Sequence, residues 1–159
     1  MTVAERLVSR LADIGKTCGT AESCTGGGVG FAITSVPGAS AVFWGGVVSY
    51  DNRVKRDVLG VSDEVLSTYG AVSSECAEQM AAGARRALGV DYAVSVTGIA
   101  GPGGGSAEKP VGLVWFGVAS PFGVVADKRI FSGDREAVRM AAIEHAIVAL
   151  LCRIEDEWQ

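Results

Sequence analysis

The sequence predicts a three-layer α/β domain around a mixed β-sheet, on three observations. Helical and strand-like patterns alternate from the N-terminus to Gly98. Two β-rich apolar runs separated only by "PFG" then read as a hairpin. A long, mostly apolar helix closes the chain. Alternation gives parallel strands covered by helices, and a late hairpin adds antiparallel strands to the same sheet. With 159 residues, 48% of them hydrophobic, the chain can build one full core, so residues 1–159 are read as a single domain.

Each element has a local reason. Val3, Leu7, Leu11 and Ile14 recur at helical spacing, and Gly15 stops that helix. "KTCGTAES" reads as a short strand. "GGGVGFAITSV" reads as a helix despite its glycines, ending before Pro37. "AVFWGGVVSY" is β-branched and aromatic and reads as a buried strand. "DNRVKRDVLG" turns back into a short helix. Ser73 or Ser74 can cap a helix in which Cys76, Met80, Ala84 and Leu88 share one face. "DYAVSVTG" is a third strand, and "VGLVWFGVAS" with "VVADKRIFS" forms the hairpin. In "DREAVRMAAIEHAIVALLCRIEDE" apolar residues cover most of the circumference, which predicts packing on more than one side.

Composition removes several classes of function. The net charge of −4 and a pI near 5.0 lack the basic footprint of a nucleic-acid binder. A local basic pocket for a small anion stays possible. The N-terminus has no continuous apolar stretch, so neither a signal peptide nor a membrane span is expected. Cys18, Cys24, Cys76 and Cys152 form no CxxC pair and read as reduced thiols of a cytoplasmic protein. One histidine, His145, excludes a histidine-rich metal site; no metal or cofactor is expected. The 22 glycines, roughly twice the usual share, have no period and serve to shape loops. A homo-oligomer is expected.

Three glycine-rich turns follow apolar strands: "ESCTGGG", "SYDN" after Gly45 and Gly46, and "VTGIAGPGGGSAEKPVG". Strand ends are where α/β proteins bind ligands. "GPGGGSAEK" lacks the Gly-Lys-Ser/Thr ending of a P-loop, and neither G-x-G-x-x-G nor the esterase elbow G-x-S-x-G is present. Ser23 follows a strand and precedes glycines that can open a helix. Either Ser23 or Thr25 is simply the helix cap, or Ser23 is a nucleophile beside backbone N–H groups that could hold an oxyanion. A serine nucleophile needs a base. His145 lies mid-helix and reads as a packed or surface residue. Lys55 and Lys109 both lie near strand ends; Lys55 is either a solvated lysine of its short helix or a base whose neighbours Arg53 and Arg56 would favour a neutral amine. Arg135 and Arg139 open the last helix, where cations oppose the dipole. Arg135 either binds an anion such as a phosphate or pairs with Asp134 and Glu136; Arg139, a turn deeper, is expected to pair with a carboxylate.

Together "AESCTGG", "GGVVSYDNRVK", "GAVS", "VTGIAGPGGGSAEKPVG" and "FSGDREAVR" closely resemble the CinA C-terminal domain family of nicotinamide-nucleotide amidohydrolases, from about residue 5 to residue 152. The resemblance implies an α/β/α sandwich and hydrolysis of nicotinamide mononucleotide to nicotinate mononucleotide and ammonia, a step that returns pyridine nucleotide toward NAD. It places the family's serine–lysine pair on Ser23 and Lys55, its strand-end tyrosine on Tyr50, its strand-end threonine on Thr97 and its late arginine on Arg135. On this reading Tyr50 orients the lysine or the ring, and Asn52 binds the carboxamide or the ribose. Backbone N–H groups of Thr25, Gly26 and Gly27 are oxyanion-hole candidates. The loop with Gly98, Gly101, Gly103 and Gly104 walls the nucleotide, and Arg135 holds its phosphate. Two rivals carry different expectations: a pyridine-nucleotide sensor of the same fold that releases no ammonia, and an amidase or esterase with another substrate.

Overall fold

The computed structural model describes residues 1–159. Helix α1 (Val3–Ile14) begins with a capping box in which the Thr2 hydroxyl accepts from the Glu5 N–H. It ends at Gly15, in the left-handed conformation glycine adopts without cost. Strand β1 (Cys18–Glu22) is buried throughout, as a central parallel strand covered on both faces should be. Helix α2 (Gly28–Thr34) is shorter than the sequence predicts, because Gly26 and Gly27 have positive φ and belong to the preceding turn.

Strand β2 (Phe43–Val48) pairs only with β1 and alternates half-buried with exposed residues. The expected buried strand is thus an edge strand, with Trp44 59% exposed. Its aromatic and β-branched content gave the strand correctly but not its place in the sheet. Helix α3 (Asn52–Asp57) is capped by Asp51, and α4 (Asp63–Thr68) by Ser62. Sequence reading missed α4, although Ser62 followed by Asp63 and Glu64 is an N-terminal signal. Helix α5 (Ser74–Leu88) takes Ser73 as its cap and buries Cys76, Met80 and Ala84.

Strand β3 (Tyr92–Gly98) runs parallel to β1. Strands β4 (Leu113–Ser120) and β5 (Gly123–Ile130) form the predicted hairpin, both ladders β3–β4 and β4–β5 being antiparallel. The sheet order is β2-β1-β3-β4-β5, a mixed sheet. Helix α6 (Arg135–Glu157) is capped by Asp134. It packs on β3 and β4 with one side and on α1 and α2 with others, which accounts for its broad apolar surface. The larger core lies between the sheet and α1, α2 and α6; a smaller one, around Leu59, Val61, Val65 and Met80, lies between the sheet and α5. The C-terminal ends of β1 and β3, with the residues that follow β2, open between these layers. All four cysteines are free thiols.

Candidate active site

The chain leaving β1 is tied to β3, since the Ser23 N–H donates to Val96 O at 2.9 Å. It then reverses through Gly26 (φ 59°) and Gly27 (φ 99°), which a residue with a side chain would enter only under strain. Neither Ser23 nor Thr25 caps α2. Gly27 occupies the cap position, and the carboxylate of Glu22, 2% exposed, does the work from the end of β1. It accepts from Val29 N at 2.8 Å, Gly30 N at 3.0 Å and Thr25 Oγ1 at 2.7 Å. Local sequence could not show this, because a carboxylate before the turn replaced the hydroxyl within it. The Ser23 hydroxyl is left free for another partner.

That partner is Lys55. It is 1% exposed, and its Nζ lies 3.2 Å from Ser23 Oγ, 2.7 Å from Ser49 O and 3.1 Å from Tyr50 O. The two carbonyls can only accept. A neutral amine therefore gives both N–H groups to them and turns its lone pair to the serine hydroxyl. Burial holds the Lys55 ammonium below its ordinary value of 10.5. The flanking arginines contribute nothing to this, contrary to the sequence expectation. Arg53 pairs with Asp51, and Arg56 with Asp57 and Asp63, all at the surface. Lys109 lies elsewhere, its Nζ 2.5 Å from Tyr69 O. Burial pushes the neighbouring Cys24 thiol up to about 11, so it stays protonated at neutral pH.

Ser23 and Lys55 line a cleft of about 210 Å³ with Cys24, Tyr50, Asn52, Ala71, Val72, Thr97, Gly98, Ala100 and Arg135. The structure thus brings together Ser23, Lys55, Tyr50, Asn52, Thr97, Gly98 and Arg135. Gly101 joins through its carbonyl, which accepts from Arg135 Nη1 at 2.8 Å. Thr25, Gly26, Gly27, Gly103 and Gly104 lie outside the lining, which the Ser23 loop reaches through Ser23 and Cys24. The Tyr50 side chain is exposed, and its hydroxyl accepts from Arg135 Nη2 at 3.3 Å. Thr97 Oγ1 donates to Ala71 O at 2.8 Å, drawing the "GAVS" segment against β3. At Gly98 a Cβ would lie 2.7 Å from Val114 Cγ2 and 2.8 Å from Leu113 O, so glycine is required by the approach of β4.

Arg135 makes no ion pair with Asp134 or Glu136 and keeps its charge at the cleft mouth. Arg139 has no carboxylate partner either, which corrects the sequence expectation. It donates to two carbonyls of the loop that carries Ser23, Cys24 O at 3.0 Å and Thr25 O at 3.3 Å. Among the loop amides, Gly26 N–H closes onto Ser23 O at 3.0 Å, whereas those of Thr25 and Gly27 have no acceptor in the protein. Sequence reading missed Glu22, Ala71, Val72 and Ala100. The first stands inside the quoted "AESCTGG", and the next two inside "GAVS".

Three larger depressions lie outside this cleft, about 370 Å³ beside β5 and α6, about 800 Å³ between α1, α2 and α6, and about 460 Å³ over α3 and α4. None places a hydroxyl against a buried amine. His145 lines the first, its Nε2 3.3 Å from Asp127. No cluster of three His, Cys, Asp or Glu side chains is arranged to hold a metal ion.

Residues 1–154 match the family described as the CinA C-terminal domain. The chain is similar to a nicotinamide-nucleotide amidohydrolase, PncC, of Enterobacter agglomerans, 58% identical over 79% of this chain and 76% of that one. It is 54% identical to a CinA-like protein of Synechococcus over 79% of this chain and 30% of the relative, so it spans about a third of that protein's length. Among solved structures, a competence/damage-inducible protein of Agrobacterium tumefaciens superposes with a TM-score of 0.91 at 45% identity, over 94% of this chain and 92% of that one. A CinA superfamily protein of Klebsiella pneumoniae gives 0.93 at 34% identity, over 97% and 96%.

Proposed function

The chain belongs to the CinA C-terminal domain family, and on that premise we propose that it deamidates nicotinamide mononucleotide, giving nicotinate mononucleotide and ammonia. The observation that carries this reading is the contact of Lys55 Nζ with Ser23 Oγ at 3.2 Å, with two carbonyls taking the remaining hydrogens of the amine.

Ser23 Oγ attacks the carboxamide carbon while the neutral Lys55 amine takes the hydroxyl proton. The carbonyl oxygen becomes negative and is met by free loop amides, Thr25 and Gly27 being the available donors. Lys55 then delivers its proton to the amide nitrogen, the C–N bond breaks and ammonia leaves. Water attacks the resulting serine ester, Lys55 removes its proton, and that proton returns to Ser23 Oγ as the acid is released. Every proton is thus handled by one amine, and no step calls for a metal. Tyr50 steadies the amine through its carbonyl and Arg135 through its hydroxyl. The cleft is of a size for the ring and its carboxamide, with ribose and phosphate running out past Asn52 toward the Arg135 guanidinium. Gly103 and Gly104 belong to the outer wall of the nucleotide path.

No helix is long and apolar enough to cross a membrane. A cytoplasmic enzyme acting as a homo-oligomer is part of the same proposal, and sedimentation equilibrium tests the assembly. The decisive assay is ammonia release from nicotinamide mononucleotide by wild type and Ser23→Ala. Turnover in the first and none in the second is expected; binding without ammonia would make the chain a sensor. Turnover of simple amides in preference to the mononucleotide would make it a different amidase.

A further inference from the structure

The loop that carries Ser23 is gripped from two sides. Glu22 holds it from the end of β1 through Thr25 Oγ1 and the first amides of α2. Arg139 holds it from α6, through Nε to Cys24 O at 3.0 Å and through Nη2 to Thr25 O at 3.3 Å. A half-buried guanidinium without a carboxylate, spent on two backbone carbonyls, calls for an explanation.

Peptide planarity supplies one. In a trans peptide the C=O and the following N–H point in opposite directions. Helix α6 covers one face of the sheet. Lys55 stands on α3, and Ala71 and Val72 lead into α5, the helix that packs on the other core. Drawing the Cys24 carbonyl toward α6 turns the Thr25 N–H away from α6, at the peptide that follows Cys24 in the cleft lining. That N–H has no acceptor, and Thr25 is buried. A buried backbone donor without an acceptor is costly and rare. Its neighbour Gly26 is already committed to Ser23 O, so it does not compete for the role.

We propose that Arg139 is a positioning residue: by holding the Cys24 carbonyl it aims the Thr25 N–H at the carboxamide oxygen as that oxygen becomes negative. This rests on the amidohydrolase reading above. Arg139 and Arg135, one turn apart on α6, then divide the work, Arg139 acting on the transition state and Arg135 on the bound ground state.

The test is steady-state ammonia release from nicotinamide mononucleotide and from its thiocarboxamide analogue, by wild type, Arg139→Met and Arg139→Lys. Removing an oxyanion donor outright costs about 10²–10³ in kcat, and misdirecting one is expected to cost about 10- to 100-fold. KM and the pH midpoint of kcat/KM should hold, because neither Arg135 nor Lys55 is touched. Arg139→Lys should recover part of kcat by holding one carbonyl. Sulfur is a poor hydrogen-bond acceptor, so wild type should prefer the carboxamide over the thiocarboxamide, and Arg139→Met should lose that preference. An unchanged kcat, a rise in KM alone, or an undiminished carboxamide preference overturns the proposal. Should Arg139→Met not fold, the same preference measured in Arg139→Lys decides. A wild type that releases no ammonia overturns the amidohydrolase reading itself, whereas an active wild type with an indifferent Arg139 overturns this inference alone.

Discussion

The cleft at the ends of β1 and β3 and the groove between β5 and α6 each hold a basic side chain against an oxygen. In the cleft, Lys55 is fully buried and meets only neutral groups, a hydroxyl and two carbonyls. In the groove, His145 meets the Asp127 carboxylate, with its ring 4.5 Å from Phe116 and 6.3 Å from Phe131. The groove is the larger of the two and carries more ionisable groups. It has no hydroxyl or thiol in contact with the base. What sets the cleft apart is burial beside neutral partners, which disfavours the ammonium and holds the amine against the hydroxyl, rather than volume or charge.

The sharpest way to break this comparison is to disable each base. Lys55→Met should lower kcat by about 10² or more, the scale of general-base catalysis, while His145→Ala leaves kcat within about twofold. Equal losses would mean that the groove takes part in the reaction. Measured ammonia release on both variants decides it.

Charge at the cleft mouth should act on binding. Arg135→Ala should raise KM for nicotinamide mononucleotide about 10- to 100-fold, the worth of a charge-assisted contact, and change KM for the riboside far less. Arg135→Lys should recover only part, since an ammonium cannot make a two-pronged contact. Equal losses for both substrates would make the arginine structural.

A subtler test is pH. Burial lowers the Lys55 pKa below 10.5, and only the neutral amine can take the serine proton. The ratio kcat/KM should therefore rise with pH through that lowered value and level off above it. Stability carries the same signature. Between the folded value and 10.5 the unfolded chain binds more protons, so stability should rise with pH in that window. The rise should be missing from Lys55→Met, and a denaturant titration at several pH values measures it.

The smallest catalytic effects belong to groups whose chemistry is idle. Cys24→Ala should keep substantial turnover, because burial raises that thiol to about 11 and leaves it protonated. His145→Ala should cost about 1–3 kcal/mol of stability through lost packing and leave the reaction intact; its thermal midpoint and its kcat are to be read together. A Cys24→Ala protein without activity beside an active Ser23→Ala would reassign the nucleophile.

Local pattern was enough for every strand, for α1, α5 and α6, and for the hairpin, because these rest on periodicity and on punctuation by glycine and proline. The motifs also carried the candidate residues, and Ser23, Lys55, Tyr50, Asn52, Thr97 and Arg135 do meet in one cleft. What local pattern got wrong came from partners distant in sequence. Strand β2 carries the composition of an interior strand yet lies at an edge, since only tertiary pairing decides how many neighbours a strand has.

The same limit applied at the site. The hydroxyl expected to cap α2 was displaced by Glu22, and the charges expected to tune Lys55 were turned outward to Asp51, Asp57 and Asp63. Residue types and spacing by themselves determined the layers, the glycine turns and the identity of a serine and a lysine worth pairing. Folding alone decided that Lys55 lies buried against two carbonyls and that Arg139 grips the Ser23 loop from 114 and 115 residues away. Burial and hydrogen-bond geometry are properties of what surrounds a side chain, and those surroundings are assembled from segments that sequence order keeps apart.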